Sequence, residues 1–168
     1  MSRSIDGLEI TAAERSDVGL VLTMIRELAE FERLLDQVVA TESGLERALF
    51  GEPPQARVVI ARIDREPVGF ALFFHTFSTF LGRRGLYLED LYVRQAFRGQ
   101  GVGKALLRHL AGVAVAEDCG RFEWAVLDWN QRAIDFYVGL GAAPVADWTT
   151  FRLAGPALDR LARTETQP

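Results

Sequence analysis

The sequence is poor in the residues that hold metals and form disulfides. Cys119 is the single cysteine, so neither a disulfide within the chain nor a cysteine-based metal cluster is possible. The two histidines, His75 and His109, have no further potential ligands nearby at a metal-binding spacing. We therefore expect no metal site, and we assign both histidines to ordinary strand or helix positions.

Long hydrophobic runs and an excess of basic residues are also missing. The longest apolar run, residues 68–74, is too short to cross a bilayer, and the N-terminus has no apolar signal-peptide core. With 19 basic and 23 acidic residues, the formal charge of -4 disfavours a nucleic-acid partner and suits a cationic substrate. We expect a soluble, cytoplasmic protein without a membrane partner. At 168 residues it should form one domain over residues 1–168, with its core at about 8–153.

A glycine-rich turn between an apolar strand and a helix is the most informative stretch. Residues 86–93 alternate like a buried strand, and apolar residues recur at helical spacing from Val102 onward. Between them lies Arg-Gly-Gln-Gly-Val-Gly at residues 98–103. Glycines let a ligand approach the backbone, and the first amides of a helix have no partner inside it. This combination predicts a pyrophosphate cradle.

The spacing of the glycines narrows the kind of cradle. A P-loop requires G-x-x-x-x-G-K-[ST], but no glycine lies five positions before Gly103, and residue 105 is alanine. The Rossmann fingerprint G-x-G-x-x-G also fails, because Gly99, Gly101 and Gly103 are spaced two and two. The pattern R-x-x-G-x-G instead resembles motif A of the GCN5-related N-acetyltransferases (GNAT). That resemblance implies a site for the pyrophosphate of acetyl-CoA, whereas the motif alone would also suit a tight turn without a ligand.

The hydrophobic periodicity predicts the order β-α-α-β-β-β-α-β-α-β. The predicted strands are residues 8–12, 57–63, 68–77, 86–93, 121–127 and 145–153, and the predicted helices begin near residues 18, 42, 102 and 131. Ser16 or Asp17 should cap the first helix and Thr41 the second, and residues 156–163 form at most a short last helix. We predict an α/β (α+β) fold with a mixed, mostly antiparallel sheet and helices on both faces. This order is also the one that the GNAT resemblance implies.

A closer resemblance is to the spermidine/spermine N1-acetyltransferase subfamily, which includes acetyltransferases acting on thialysine. It is carried by residues 25–32, residues 87–90 (Tyr-Leu-Glu-Asp), the glycine motif, and Asn130 with Phe136-Tyr137. The similarity extends from about residue 8 to residue 153. It implies acetyl-CoA as cosubstrate, a small-molecule amine as acceptor, and a homodimer.

Two side chains match the catalytic positions of that subfamily. Attack on a thioester requires a neutral amine, and a primary amine with a pKa near 10.4 is neutral in only about one molecule in a few thousand at pH 7. A nearby carboxylate can attract the ammonium and remove its proton. The resemblance assigns this role to Glu89, directly or through water, and the role of general acid to Tyr137. Without it, Glu89 could be a solvated strand end and Tyr137 a core residue.

The resemblance also implies contact residues for both substrates. Backbone N–H groups within residues 91–93 should stabilise the negative charge that develops on the carbonyl. The expected cofactor contacts are Leu91, Tyr92, Val93, Arg98, Gly99, Gln100, Gly101, Val102, Gly103, Lys104, Asn130, Arg132, Ala133 and Tyr137. Asn130 could equally cap a helix. The expected amine contacts are Phe31, Glu32, Glu89, Asp90, Glu123 and Trp124.

The resemblance is weakest where a polyamine would bind. Residues 78–80 read Ser-Thr-Phe where the subfamily has Asp-Pro-Trp, and Thr149 occupies another acidic position of the subfamily. A long polycation should therefore bind poorly, and a diamine, a polyamine or a lysine-like amino acid remain the candidate acceptors. Two alternatives stay open: acetylation of a protein lysine, a protein N-terminus or an aminoglycoside, and a CoA-binding sensor without turnover.

Overall fold

The computed structural model describes residues 5–163. The strands are β1 (Leu8–Ala12), β2 (Arg57–Ile63), β3 (Glu66–Ser78), β4 (Arg83–Val93) and β5 (Phe122–Trp124). The helices are α1 (Val18–Phe31), α2 (Glu42–Phe50), α3 (Val102–Ala116), α4 (Gln131–Gly139) and α5 (Pro156–Arg163). Short 3-10 turns precede α1, follow it, and follow β4.

The five strands form one sheet in the order β1-β2-β3-β4-β5. The first three contacts between neighbours are antiparallel, whereas β4 and β5 run parallel. The β2–β3 hairpin turns through Asp64 and Arg65, which both have positive φ (49° and 72°), as tight two-residue hairpin turns require. The mixed, mostly antiparallel sheet that the sequence predicted is thus confirmed.

Helices α1 and α2 cover one face of the sheet. Their buried residues Val21, Met24 and Leu49 pack in one cluster with strand residues that include Phe70 and Tyr92. Helix α2 begins as predicted, because Thr41 Oγ1 accepts a hydrogen bond from the Gly44 N–H at 3.1 Å. Ahead of α1, a reciprocal box between Glu14 and Asp17 takes the place of a simple cap.

Helix α3 covers the opposite face. A Cβ placed on Gly103, in the first turn of α3, would lie 3.8 Å from Val93 Cγ2 of β4. Tyr92, which precedes Val93 on β4, packs instead with α1. Successive side chains of a strand point to opposite faces, so α1 and α3 lie on opposite sides of β4. The buried residues of α3 are Val102, Leu106, Leu107, Leu110 and Ala114.

Three strand predictions need correction. No strand forms over residues 145–153, although the apolar side chains there alternate. A strand exists only where a neighbour supplies its hydrogen bonds, and alternation alone does not provide one. Strand β5 is three residues long instead of seven, and β4 begins at Arg83, before the predicted start, because it continues the hairpin with β3.

The chain divides into two compact units, Met1–Ala125 and Val126–Pro168. The first contains the whole sheet with α1, α2 and α3, and the second contains α4 and α5. Within residues 5–163, no helix combines the length and apolarity needed to cross a bilayer. The same part of the chain contains no group of three metal-ligating side chains.

We expect the stability of the fold to depend on Phe70, whose side chain is completely buried between β2, β4 and the α1–α2 layer. The substitution Phe70→Ala should lower the free energy of unfolding by about 3–5 kcal/mol through lost burial and the cavity left behind. Phe80→Ala is the matched control, because Phe80 is 93% exposed. It should change stability by less than about 0.5 kcal/mol. Urea unfolding measures both, and equal effects would contradict the assigned core.

Candidate active site

Strand β4 contains a bulge at Glu89. In the register with β3, Leu88 faces Phe73 and Asp90 faces Leu72, so Glu89 is an extra residue without a partner. In a regular strand Asp90 would point to the face opposite Glu89, and a bulge changes that alternation. The bulge exists, and the pairing of Asp90 with Leu72 puts its side chain on the α1 face, with Tyr92.

Beyond the bulge, one edge of β4 is open. Strand β5 pairs with β4 only over residues 86–88, and within the described residues no strand continues along β4 on that side. The Arg94 N–H donates to the Val68 carbonyl on β3 at 2.9 Å. Because the backbone groups of successive strand residues point alternately to the two edges, those of Leu91 and Val93 point away from β3. The Val93 carbonyl accepts a hydrogen bond from Arg98 Nε at 2.8 Å on that side. Of the three residues predicted to supply backbone donors, Leu91 and Val93 therefore present their N–H groups to the open edge.

The glycine turn has the backbone shape that the sequence suggested. Gly99 and Gly101 have φ of 79° and 97°, values that favour glycine, and Gly101 precedes the first residue of α3. The first helical hydrogen bond of α3 runs from the Ala105 N–H to the Gly101 carbonyl at 2.9 Å. The amides of Val102, Gly103 and Lys104 come before it and have no acceptor inside the helix. These amides and the positive end of the helix dipole suit a phosphate group.

Arg98 connects this turn to the end of α1. Its guanidinium carbon lies 4.4 Å from the centroid of the Phe31 ring and 5.6 Å from that of Tyr92. A residue predicted to contact the cofactor is therefore packed against one predicted to contact the amine. Gln100, also predicted to contact the cofactor, bonds through Nε2 to the Ala96 carbonyl at 3.0 Å.

A second arginine, which the sequence did not single out, ties the same elements together. Arg94, directly after β4, donates from Nε and Nη2 to the two Glu27 carboxylate oxygens at 3.1 and 2.9 Å. Its Nη1 donates to the Pro67 carbonyl at 2.9 Å. This two-point pair fixes α1 relative to the beginning of β3 and the end of β4. Glu27 lies in the segment 25–32 that carries the subfamily resemblance, but Arg94 is 67 positions away, so no local sequence signal could have revealed the pair.

Three carboxylates, Glu32, Glu89 and Asp90, form an acidic cluster where α1 ends and β4 bulges. Burial raises the pKa of Asp90 to about 6, and the negative charges of Glu89 and then Glu32 add to that effect. Burial also raises the pKa of Glu32. Carboxylates that share a partly buried site repel one another, and a cation relieves that repulsion. The acidic cluster therefore attracts a positively charged ligand.

The two predicted contacts on β5 point to opposite faces. Glu123 lies beside Tyr87, and Trp124 lies beside Leu88. The Trp124 ring packs against Phe122, with centroids 5.0 Å apart. Burial raises the pKa of Tyr87, and the negative charges of Glu89 and Glu123 raise it further. Glu123 thus shares the face of the acidic cluster, and Trp124 lies on the other.

The remaining predicted residues lie in the second unit. The Asn130 side chain caps α4 by accepting a hydrogen bond from the Ala133 N–H at 3.3 Å, and Arg132 lies in the same first turn. Tyr137 follows one turn later, with its ring 5.4 Å from that of Phe136. Capping by Asn130 was one of the two roles that the sequence allowed.

The conformation of the glycine turn can be tested by substitution. Gly101→Ala places a Cβ at φ 97° and should destabilise the protein by about 1–3 kcal/mol. Gly112→Ala is the control: Gly112 lies inside α3, and nothing lies within 4 Å of an added Cβ. That change should stabilise the protein by roughly 0.5–1 kcal/mol. Thermal unfolding measures both, and equal shifts would argue against the positive φ at Gly101.

The raised pKa of Asp90 predicts a pH-dependent effect on stability. The folded protein holds the proton on the Asp90 carboxyl more tightly than the unfolded chain does. The contribution of Asp90 to the free energy of unfolding therefore falls as pH rises from about 4 to about 6. Above pH 7 the full shift, from 3.8 to about 6, corresponds to roughly 3 kcal/mol. Asp90→Asn should therefore stabilise the protein at pH 8, by up to that amount, and much less at pH 4.

Denaturant titrations at the two pH values measure this difference. Glu9→Gln, which removes an exposed carboxylate on β1, is the control and should change stability little at either pH. A destabilised Asp90→Asn protein at pH 8 would mean that the Asp90 carboxylate is compensated by partners that favour its charge.

Comparison with known proteins agrees with this geometry. The model of the acetyltransferase (GNAT) family matches residues 22–142. A thialysine N-epsilon-acetyltransferase of Sus scrofa is 42% identical over 164 residues, covering 91% of this chain and 96% of that protein. An L-ornithine N5-acetyltransferase of Arabidopsis thaliana is 32% identical over 197 residues, covering 90% of this chain and 86% of that protein.

The fold has solved counterparts as well. An integron cassette protein from the mobile metagenome of V. cholerae has a TM-score of 0.79 at 26% identity, covering 94% of this chain and 99% of that one. The predicted fold class and the resemblance to the subfamily that includes thialysine acetyltransferases are both confirmed. The chain belongs to the acetyltransferase (GNAT) family and is an N-acetyltransferase of that family.

Proposed function

We propose that the protein transfers the acetyl group of acetyl-CoA to the primary amine of a small cationic acceptor, by direct attack in a ternary complex. The observation that carries this proposal is the position of the acidic cluster at the bulge of β4, next to the open edge. A cation drawn to Glu89 and Asp90 would lie beside the backbone donors of Leu91 and Val93. Amine and thioester are then neighbours, as direct transfer requires.

The chain fits acetyl-CoA as its cosubstrate. Amides 102–104 at the beginning of α3 and the Arg98 guanidinium suit the pyrophosphate, together with Gly99, Gln100 and Lys104. The open edge of β4 offers backbone N–H and C=O groups to the amides of the pantetheine arm. The arm would pair with this edge as an added strand does. The N–H of Leu91 or Val93 would hold the negative charge that develops on the thioester oxygen. The subfamily resemblance adds Asn130, Arg132 and Ala133 to the proposed cofactor contacts.

The acidic cluster supplies the proton acceptor. Glu89 is the most exposed of its members, and we assign it the removal of the ammonium proton, directly or through water. Asp90 and Glu32 would hold the ammonium by their charge, next to Phe31. The amine nitrogen then attacks the carbonyl carbon, the carbon–sulfur bond breaks, and the nitrogen releases its second proton to solvent. The subfamily resemblance assigns to the Tyr137 hydroxyl the proton that the departing thiolate takes, and solvent then restores that hydroxyl.

Direct transfer agrees with the position of the single cysteine. Cys119 follows the C-terminal end of α3, whereas the glycine turn precedes its N-terminal end. A 15-residue helix is about 22 Å long, so the thiol is remote from the open edge. Burial also raises the pKa of Cys119, which disfavours the reactive thiolate.

The acceptor is proposed to be short. The names of two relatives specify thialysine and L-ornithine, both amino acids with a terminal amine. Residues 78–80 and Thr149 lack the carboxylates expected of a polyamine site. A homodimer belongs to the same proposal and rests on the subfamily resemblance, and a cytoplasmic location rests on the N-terminal sequence and the short apolar runs.

Release of free CoA with a panel of amines tests this function. Lysine, thialysine, ornithine, putrescine, spermidine and spermine are compared for wild type, Glu89→Gln, Asp90→Asn and Tyr137→Phe. Loss of a general acid or base should lower kcat/KM by about 100- to 10,000-fold. The wild-type rate should also fall as pH drops through about 6, because Asp90 becomes protonated, and Asp90→Asn should lack that dependence.

Equilibrium binding of acetyl-CoA separates the possible failures. Glu46→Gln, which alters an exposed ion pair with Arg15, is the control and should retain full activity. Acetyl-CoA binding without turnover of any amine would contradict a small-amine acceptor and would favour a protein acceptor or a sensor. Absence of acetyl-CoA binding would contradict the assignment of the glycine turn.

A further inference from the structure

Arg121, which directly precedes β5, forms an ion pair with Glu123 of β5 on the face of the acidic cluster, and the acetyl transfer proposed above uses neither side chain. Arg121 Nε is 2.7 Å from Glu123 Oε2, and the side chains are 42% and 33% exposed. Two residues apart at a strand, they point to the same face. They therefore present a positive and a negative group side by side, within reach of a ligand. An amino acid carries the complementary arrangement in its α-carboxylate and α-ammonium.

Glu123 and Glu89 of the acidic cluster both lie near Tyr87, which is one ring of an aromatic pair. Glu123 is the register neighbour of Tyr87, whose ring centroid is 5.3 Å from that of Phe74 on β3. Both Glu89 and Glu123 act on the Tyr87 hydroxyl through their charges, so neither carboxylate is far from it. The two rings form an apolar surface between them, which suits the methylene chain of a short ligand.

The spacing matches a lysine-like molecule. Glu123 lies beside Tyr87 on the neighbouring strand, and Glu89 lies two residues further along β4. Strand geometry then puts the Cα atoms of Glu89 and Glu123 about 8 Å apart. In extended lysine, six bonds separate the terminal and α nitrogens, a span of about 7 Å. A terminal amine at the acidic cluster would place the α-carbon substituents near Arg121 and Glu123.

A glycine and an unsatisfied hydroxyl accompany the arginine. A Cβ on Gly85 would lie 3.2 Å from Arg121 Cγ and 2.7 Å from Thr76 Oγ1, so Arg121 occupies the space that a side chain on β4 would fill. Thr76 Oγ1, the register neighbour of Gly85, is buried and is the one such side-chain atom in the described residues without a hydrogen-bond partner. Buried hydroxyls are rarely left unpaired, so this atom points to a missing ligand group.

We infer that Arg121 and Thr76 bind the α-carboxylate, and Glu123 the α-ammonium, of an α-amino acid whose terminal amine is acetylated. The terminal nitrogens of the guanidinium can donate to both carboxylate oxygens, which is the favoured geometry for that pair. A diamine or polyamine lacks the carboxylate and leaves Arg121 without a substrate partner. This inference rests on the proposed function and specifies its substrate class.

Three acceptors that differ by single groups test it. Lysine carries both α substituents, 1,5-diaminopentane lacks the carboxylate, and 6-aminohexanoate lacks the α-ammonium. Arg121→Gln should lower kcat/KM for lysine and 6-aminohexanoate by about 10- to 100-fold and leave 1,5-diaminopentane within about twofold. Glu123→Gln should lower it for lysine and 1,5-diaminopentane and spare 6-aminohexanoate. Arg15→Gln, which alters an exposed ion pair between the first 3-10 turn and α2, should change none of the three.

Thr76→Val covers the case in which Arg121→Gln fails to fold. It preserves the shape of the side chain, removes the buried hydroxyl, and should lower kcat/KM for lysine about threefold or more with no change for 1,5-diaminopentane. If wild type acetylates amines but no variant changes the ratio of lysine to 1,5-diaminopentane, the inference is wrong and the proposed function stands. If wild type acetylates none of the three acceptors and no amine of the wider panel, both are wrong.

Discussion

The bulge at Glu89 determines how the rest of the site is arranged. On the N-terminal side of the bulge, the backbone of β4 pairs with β5, as the hydrogen bond from the Leu86 N–H to the Arg121 carbonyl at 3.0 Å shows. One extra residue shifts the alternation, so that beyond the bulge it is Leu91 and Val93 that face outward. The same shift places Asp90 on the α1 face. A regular strand would instead turn the backbone groups of Asp90 and Tyr92 to the open edge and the Asp90 side chain to the α3 face.

Concentrating carboxylates at the bulge costs stability, and the surrounding structure offsets that cost. Asp90 is partly buried beside Glu89 and Glu32, and its raised pKa measures the penalty. The neighbouring elements are fixed by stronger contacts: the two-point pair of Arg94 with Glu27, and the packed cluster around Phe70. A ligand cation that neutralises the cluster recovers part of this free energy on binding. This unfavourable electrostatic energy would thus be a source of affinity for the cation of the proposed acceptor.

Local signals in the sequence were sufficient for the parts of the site that lie on continuous segments. The strand before the turn, the positive φ of Gly99 and Gly101, and the beginning of α3 at Val102 all follow from short stretches. The cap by Thr41 was predicted on the same basis. For Gly103 the expectation that the position requires glycine is not supported. A Cβ added there would meet only an ordinary van der Waals contact at 3.8 Å.

Features that depend on a partner strand or helix could not be predicted in this way. The bulge exists only in the register between β3 and β4, and the contact of Arg98 with Phe31 joins segments 67 positions apart. The strand predicted at residues 145–153 failed for the same reason, since alternation does not specify a neighbour. The pairing of Arg94 with Glu27 depends on helix packing. The single domain and the roles of all the predicted site residues toward substrates stay predictions.

In the proposed reaction, the end of β4 separates two charges that have to be brought together. On the α3 side, the backbone amides that begin this helix create a positive potential suited to an anionic cosubstrate. On the α1 side, the acidic cluster creates a negative potential suited to an ammonium. The open edge between them carries the donors of Leu91 and Val93. Under the proposed function, each substrate would therefore be drawn to its own side of one strand. The acetyl group would need to move only across the edge of that strand, where within the described residues no neighbouring strand occupies the polar backbone.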